Sequence, residues 1–123
     1  GAADRIRRES TIAMLIDPKL DGGGPARVLG RLHDQTPHVP FLTGWASSRE
    51  AVKYLNESLK NDPTNKITRV FLAEAMVNNN SDTKPQAVQM LKDVLASPND
   101  PLYEVEQAQA QDDARALLKK WGA

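Results

Sequence analysis

Apolar positions recur at helical spacing in two stretches of the chain that lie about one helical hairpin apart. The first stretch contains Ala51, Leu55, Ser58, Leu59 and Pro63, and the second contains Ala87, Leu91, Val94, Leu95 and Pro98. Small and large apolar residues that repeat with a period in the thirties and end in a proline are typical of stacked helix-turn-helix units. The pattern therefore predicts an all-α fold, a short right-handed helical solenoid.

About six helices are expected, each bounded by proline, glycine or polar turn residues. They are predicted at about 4–15, from near 25 to near 35, from 48 to the break at 61–63, from 67 to the polar turn at 78–82, from 83 to the break at 97–101, and at about 103–121. Capping boxes are predicted where Ser47 precedes Glu50 and where Thr83 precedes Gln86. The last helix is polar in its first half and apolar near its end, which is typical of a terminal capping helix.

Composition narrows the classes of function. The chain has 123 residues, no cysteine, and 16 basic against 16 acidic residues whose signs are interleaved. This length predicts a single domain over residues 1–123, and the opening four residues resemble a cut within a longer chain. Because the basic residues are not clustered, nucleic acid is not expected as a partner. No apolar run approaches the roughly 20 residues that span a bilayer.

Residues 48–98 resemble tetratricopeptide repeats. The matching positions are Ala51, Leu55, Ser58 and Pro63 for the second helix of a repeat, and Leu29-Gly30 and Leu72-Ala73 for the leucine-glycine pair of a first helix. In the second copy of the repeat, Pro98 lies one residue earlier than the tetratricopeptide pattern places the proline. Such repeats form surfaces that bind other proteins, so the resemblance implies an interaction module.

A narrower resemblance covers residues 18–121. It rests on the Gly-Gly-Pro-x-Arg-x-Leu-Gly string at 23–30 and on Pro37 and the segments 50–55, 71–74 and 114–118. These are similar to bacterial tetratricopeptide-like proteins related to the T component of TRAP transporters. The resemblance implies a periplasmic or envelope protein that works beside a solute-binding protein, with a cytoplasmic location as the alternative.

Arg27 and Arg31 lie four residues apart, so both side chains share one face of the second helix. By the tetratricopeptide pattern this face lines an inner groove together with Glu74, and the same groove would present Val70 and Asn78. Two guanidinium groups can hold a carboxylate of a partner peptide or a small acid through paired hydrogen bonds. The alternative is that one arginine pairs with Glu74 and joins the two helices.

The segment 36–47 contains Phe41 and Trp45, two of the six aromatic residues of the chain. A loop of this length is expected to be functional or to pack as a unit. Phe41 and Trp45 could therefore cover the helix ends. Alternatively, they could line a pocket for a partner or an organic acid beside the second helix.

Residues that could support catalysis or metal binding form no recognisable pattern. His33, Asp34 and His38 have no fixed mutual geometry, and no serine occurs in a nucleophile elbow. We therefore expect no metal, no cofactor and no enzymatic activity. The favoured hypothesis is a non-enzymatic protein–protein interaction scaffold, which could be an oligomer, and the alternative is a small-molecule binding domain.

Overall fold

Six α-helices dominate the computed structural model of the chain, which describes residues 1–20, 23–37 and 44–123. They are α1 (Ala2–Ile16), α2 (Gly24–Gln35), α3 (Ser48–Asn61), α4 (Lys66–Asn79), α5 (Lys84–Ala96) and α6 (Glu104–Lys120). Short 3₁₀ turns at Ser81–Thr83 and Pro101–Tyr103 precede α5 and α6. No strand occurs within these ranges, so the predicted all-α class and the number of helices are confirmed. The predicted loop at 39–42 lies outside the described residues.

Polar side chains fix where the helices begin. The Ser47 hydroxyl accepts a hydrogen bond from the Glu50 backbone N–H at 3.3 Å, as predicted for the start of α3. Asn65 caps α4 in the same way through the Thr68 N–H at 2.9 Å. The second predicted cap is wrong, because the Thr83 hydroxyl donates to the Asn80 carbonyl in the preceding 3₁₀ turn and does not cap α5.

Helix α4 lies at the centre of the packing. It contacts α2 and α3 on the N-terminal side of the chain and α5 and α6 on the C-terminal side. Its small and apolar residues are divided between two core clusters, Val70 and Ala73 facing α5 and α6, and Leu72 and Ala75 facing α3. The central helix is therefore apolar on more than one face, as burial between several neighbours requires.

The repeated positions of the sequence lie in these cores. The fully buried members are Ala51, Leu55, Ser58, Ala87, Leu91 and Val94. In α6 the buried residues are Ala110, Ala114, Leu117 and Leu118, while residues 104–106 are exposed. Six of the ten repeated positions are therefore buried, whereas Leu59 and Leu95 are only partly buried. Helix α6 has the predicted polar first half.

Most large apolar residues of α1 are exposed. None of its residues is buried, and Ile12 and Ile16 are 57% and 78% exposed. Among the described helices, the main neighbour of α1 is α2.

Two glycines allow α2 to approach α3 closely. A Cβ atom on Gly30 would lie 2.5 Å from the Leu55 Cγ atom, and one on Gly23 would lie 2.8 Å from the Ser58 carbonyl oxygen. Gly23 has a positive φ of 85°, and its own carbonyl accepts a hydrogen bond from the buried Ser58 hydroxyl at 2.9 Å. Glycine at both positions thus sets the distance between the two helices.

Candidate functional site

The Arg31 guanidinium is bound to Glu74 and stacked on an aromatic ring. Its Nη1 atom lies 2.6 Å from the Glu74 carboxylate, and its Cζ atom lies 4.4 Å from the centre of the Phe71 ring. In this structure Arg31 joins α2 to α4 through Glu74, which is the alternative that the sequence left open for one of the two arginines.

Asp34 is the centre of a polar network that the sequence did not reveal. Its side chain is fully buried and accepts hydrogen bonds from Gln35 at 2.7 Å, Asn78 at 3.0 Å and Ser48 at 3.4 Å. The network connects α2, α3 and α4. A buried carboxylate that accepts several hydrogen bonds joins the elements that supply the donors. Asn78, which was expected to line the inner groove with Arg27 and Arg31, is one of these donors.

Trp45 packs against α1 and α2. Its indole N–H donates to the Asp4 carboxylate at 2.9 Å, and the Arg7 guanidinium lies 4.9 Å from its ring centre. The hydrogen bond from Trp45 is the leading cause that lowers the pKa of Asp4, with a second contribution from the N-terminal ammonium group. Trp45 therefore covers helix surfaces, which was one of its two expected roles. Phe41, its predicted companion, lies outside the described residues.

His33 lies between two aromatic rings. Its imidazole stacks on Tyr54 at 5.4 Å and meets Trp45 edge-on at 5.2 Å, and it is only 6% exposed. Burial lowers the pKa of His33; Arg7 acts in the same direction, while Glu50 and the Trp45 backbone oppose the shift. The lowered pKa favours the neutral form of the imidazole.

This environment predicts a pH-dependent stability. Because the pKa of His33 is lower in the folded chain, the unfolded chain binds the proton more strongly, and stability falls as the pH drops below about 6.5. We expect His33→Phe to reduce the stability difference between pH about 7.5 and about 5 measured by urea denaturation. His38→Phe removes the other imidazole of the chain and serves as the control. An unchanged pH dependence in His33→Phe would contradict this role.

A cleft of about 460 Å³ lies where α2, α4 and α6 begin. Its lining residues come from these first turns and from the chain segments before α4 and α6: Arg27, Asp62, Thr64, Asn65, Lys66, Ile67, Asp100, Tyr103, Glu106 and Gln107. Of the residues expected to bind a partner, Arg27 lies here. Val70 is 2% exposed and belongs to the core, so its side chain is not available at the surface.

The lining of the cleft is part polar and part apolar, and its carboxylates outnumber its cations. Its three carboxylates, Asp62, Asp100 and Glu106, face two cations, Arg27 and Lys66. Ile67 is partly exposed and Tyr103 is 58% exposed, so both can contact a bound molecule.

Lys66 has a structural role at the edge of the cleft. It is 5% exposed, and its Nζ atom donates to the Ser97 carbonyl at 2.8 Å and to the Asn99 side chain at 2.5 Å. Desolvation by burial, followed by the charge of Arg69, lowers the pKa of Lys66. Arg27, which is partly exposed, is the less buried of the two cations of the cleft.

Sequence reasoning missed most of the cleft because its walls are distant along the chain. Residues 62–67 and 100–107 are brought together by the packing of α4 against α6, which no local motif specifies. The polar turns before α4 and α6 are visible in the sequence, where they predict helix boundaries. Their contribution to a common cleft follows only from the tertiary arrangement.

The described ranges hold no group of three or more His, Asp or Glu side chains arranged to bind a metal ion. Of the helices described, none combines the length and the apolar character needed to cross a bilayer. Comparisons of the chain with protein-family models, curated proteins and solved structures give no match.

Proposed function

We propose that this chain is a non-enzymatic protein-interaction scaffold built as a tetratricopeptide-like, right-handed helical repeat with α6 as its capping helix. The sequence repeat supports this arrangement, because the equivalent residues Leu55 and Leu91 are both fully buried. It is also supported by α4, which packs against the helices immediately before and after it and against α2 and α6. An envelope location beside a solute-binding protein is part of the proposal and rests on the sequence resemblance alone.

The observation that carries the proposed function is the cleft at the first turns of α2, α4 and α6. Its volume of about 460 Å³ lies within the range of binding sites that hold small ligands or a few side chains. Ile67 and Tyr103 offer apolar contact, and the carboxylates outnumber the cations. The occupant that fits this lining is a segment of a partner protein that carries both basic and apolar side chains.

Selection from a displayed library of random short peptides tests this function. We expect the enriched peptides to combine Lys or Arg with large apolar residues, and synthetic copies to bind in solution. Tyr103→Ala should weaken their binding by about tenfold or more, since truncation of a hot-spot tyrosine removes about 2 kcal/mol or more and about 1.4 kcal/mol corresponds to a factor of ten. Glu106→Lys should weaken it as well, because it reverses a charge of the lining.

Leu102→Ala is the matched control for these variants. Leu102 is 84% exposed and adjoins Tyr103, but it is not among the residues that line the cleft. We expect peptide affinity to be unchanged in this variant. Enrichment of acidic peptides, or equal affinity for wild-type protein and Tyr103→Ala, would contradict the assignment of the cleft.

A further inference from the structure

Two polar contacts between α1 and the rest of the chain end on Trp45. The indole N–H of Trp45 donates to the Asp4 carboxylate at 2.9 Å, and the Arg7 guanidinium lies 4.9 Å from the centre of the same ring. No residue of α1 is buried, and a groove of about 310 Å³ lies between part of α1 and the first turn of α2. Because α1 buries so little of its own surface, the two contacts with Trp45 are an important part of its attachment.

The same indole ring is in contact with the buried imidazole of His33. His33 meets Trp45 edge-on at 5.2 Å and stacks on Tyr54 at 5.4 Å. Its Nδ1 atom is buried and has no hydrogen-bond partner among the described residues. A proton added to this ring would bring a positive charge and an N–H without an acceptor into a site that is largely closed to solvent. The observed arrangement therefore suits the neutral imidazole.

The charges around His33 differ between its neighbours on α1 and on α3. Arg7 of α1 repels a protonated imidazole, whereas Glu50 of α3 attracts it. The stacked ring of Tyr54, also on α3, presents its face, and the face of an aromatic ring attracts a cation. A positive charge on His33 therefore favours contact with α3 and opposes contact with α1.

Other charged groups on these helices are engaged in contacts of their own. Asp4 of α1 accepts the indole N–H and lies 3.4 Å from the N-terminal ammonium group. Asp34 of α2 belongs to the buried network of hydrogen bonds, and Glu74 of α4 is bound by Arg31. Lys53 of α3 is 70% exposed, so solvent weakens its repulsion of a nearby cation. The difference between Arg7 and Glu50 consequently remains.

We propose that protonation of His33 releases α1 from Trp45 while the other helices stay packed, so that α1 is a pH-sensitive element of this fold. Once α1 has separated, the imidazole can reach solvent and binds its proton more strongly than in the closed arrangement. Release is therefore favoured as the pH falls below about 6.5, the ordinary pKa of histidine. It also exposes more of the α2 surface that borders the groove, where Pro25 and Val28 lie.

Distances between pairs of spin labels test the proposal, because the chain has no cysteine and introduced cysteines are labelled selectively. One pair, on Arg8→Cys and Lys60→Cys, spans α1 and α3, and the control pair, on Lys60→Cys and Lys92→Cys, spans α3 and α5. All three positions are exposed. Between pH about 7.5 and about 4.5, double electron–electron resonance should show a second, broader distance population for the first pair, with a midpoint below about 6.5. The control pair should keep one distance throughout.

Two further variants identify the group that responds to pH. With His33→Phe the α1–α3 pair should keep one distance over the whole range, and the control pair reports whether this variant is folded. Glu50→Gln should move the midpoint to lower pH, because it removes a charge that favours the protonated imidazole. An α1–α3 distance that ignores pH, one that responds equally in His33→Phe, a midpoint that Glu50→Gln leaves unchanged or raises, or a simultaneous change in both pairs would each overturn the proposal. None of these outcomes depends on peptide binding in the cleft.

Discussion

Gly23→Ala is expected to lower the free energy of unfolding by about 3 kcal/mol. Two effects add at this residue. Its φ of 85° is a conformation that residues with a side chain rarely adopt, at a cost of roughly 1 kcal/mol. A new Cβ would also lie 2.8 Å from the Ser58 carbonyl oxygen and 3.0 Å from the Ser58 Cα atom. Both atoms belong to the backbone of α3, so relief requires the two helices to separate.

Gly122→Ala provides the matched control for this prediction. Gly122 also has a positive φ, 72°, but nothing lies within 4 Å of the position its Cβ would occupy. Its replacement by alanine should therefore lower the free energy of unfolding only through the unfavourable φ, by roughly 1 kcal/mol. Urea denaturation of both variants measures the difference directly. Equal losses of stability would show that the contact with Ser58 is absent or easily relieved.

The helices could be predicted from sequence because their signals are local. Apolar spacing identifies the buried face of a helix, and residues such as Ser47 and Pro25 mark where helices begin. The burial of Leu55 and Leu91 follows from the same periodicity. Thr83 shows the limit of this reasoning, since a nearby carbonyl competed for its hydroxyl and the expected cap was not formed.

The exposure of the apolar residues of α1 could not be predicted in the same way. Periodicity shows that a helix has apolar residues, but it does not show which neighbour covers them. Ile6 and Ile12 are large apolar residues of α1, yet they are 42% and 57% exposed. Other apolar residues of α1, such as Ala13 and Met14, are only partly buried.

The candidate site depends on contacts between helices, which the spacing of residues along the chain does not specify. The spacing of Arg27 and Arg31 does place both on α2, but the two arginines have different surroundings, because Glu74 binds Arg31 while Arg27 lines the cleft. The buried carboxylate of Asp34 was equally hidden, since its donors come from three helices. The pairing of one arginine with Glu74 was among the alternatives expected from sequence, but the partners of Asp34 and the surroundings of Arg27 are decided by tertiary packing, which residue spacing does not specify.

The contact between Gly30 and Leu55 leads to the second large prediction. Alanine in place of an interior helical glycine normally stabilises a helix by about 1 kcal/mol. Here the added Cβ would lie 2.5 Å from the Leu55 Cγ atom and 3.1 Å from the Ala51 carbonyl oxygen, so Gly30→Ala should instead destabilise the chain by about 2 kcal/mol. Leu55→Ala alone should cost about 3 kcal/mol, because Leu55 is fully buried.

Combining the two changes distinguishes a steric contact from a general loss of packing. Leu55→Ala removes the atoms that the new methyl group of Gly30→Ala would meet, so the double variant should be more stable than the two separate losses imply, by about 1 kcal/mol or more. Leu91→Ala is the control partner, since Leu91 is equally buried but belongs to the other core cluster. Its effect should add to that of Gly30→Ala. If both combinations are additive in urea denaturation, the close approach of α2 and α3 at Gly30 does not limit stability.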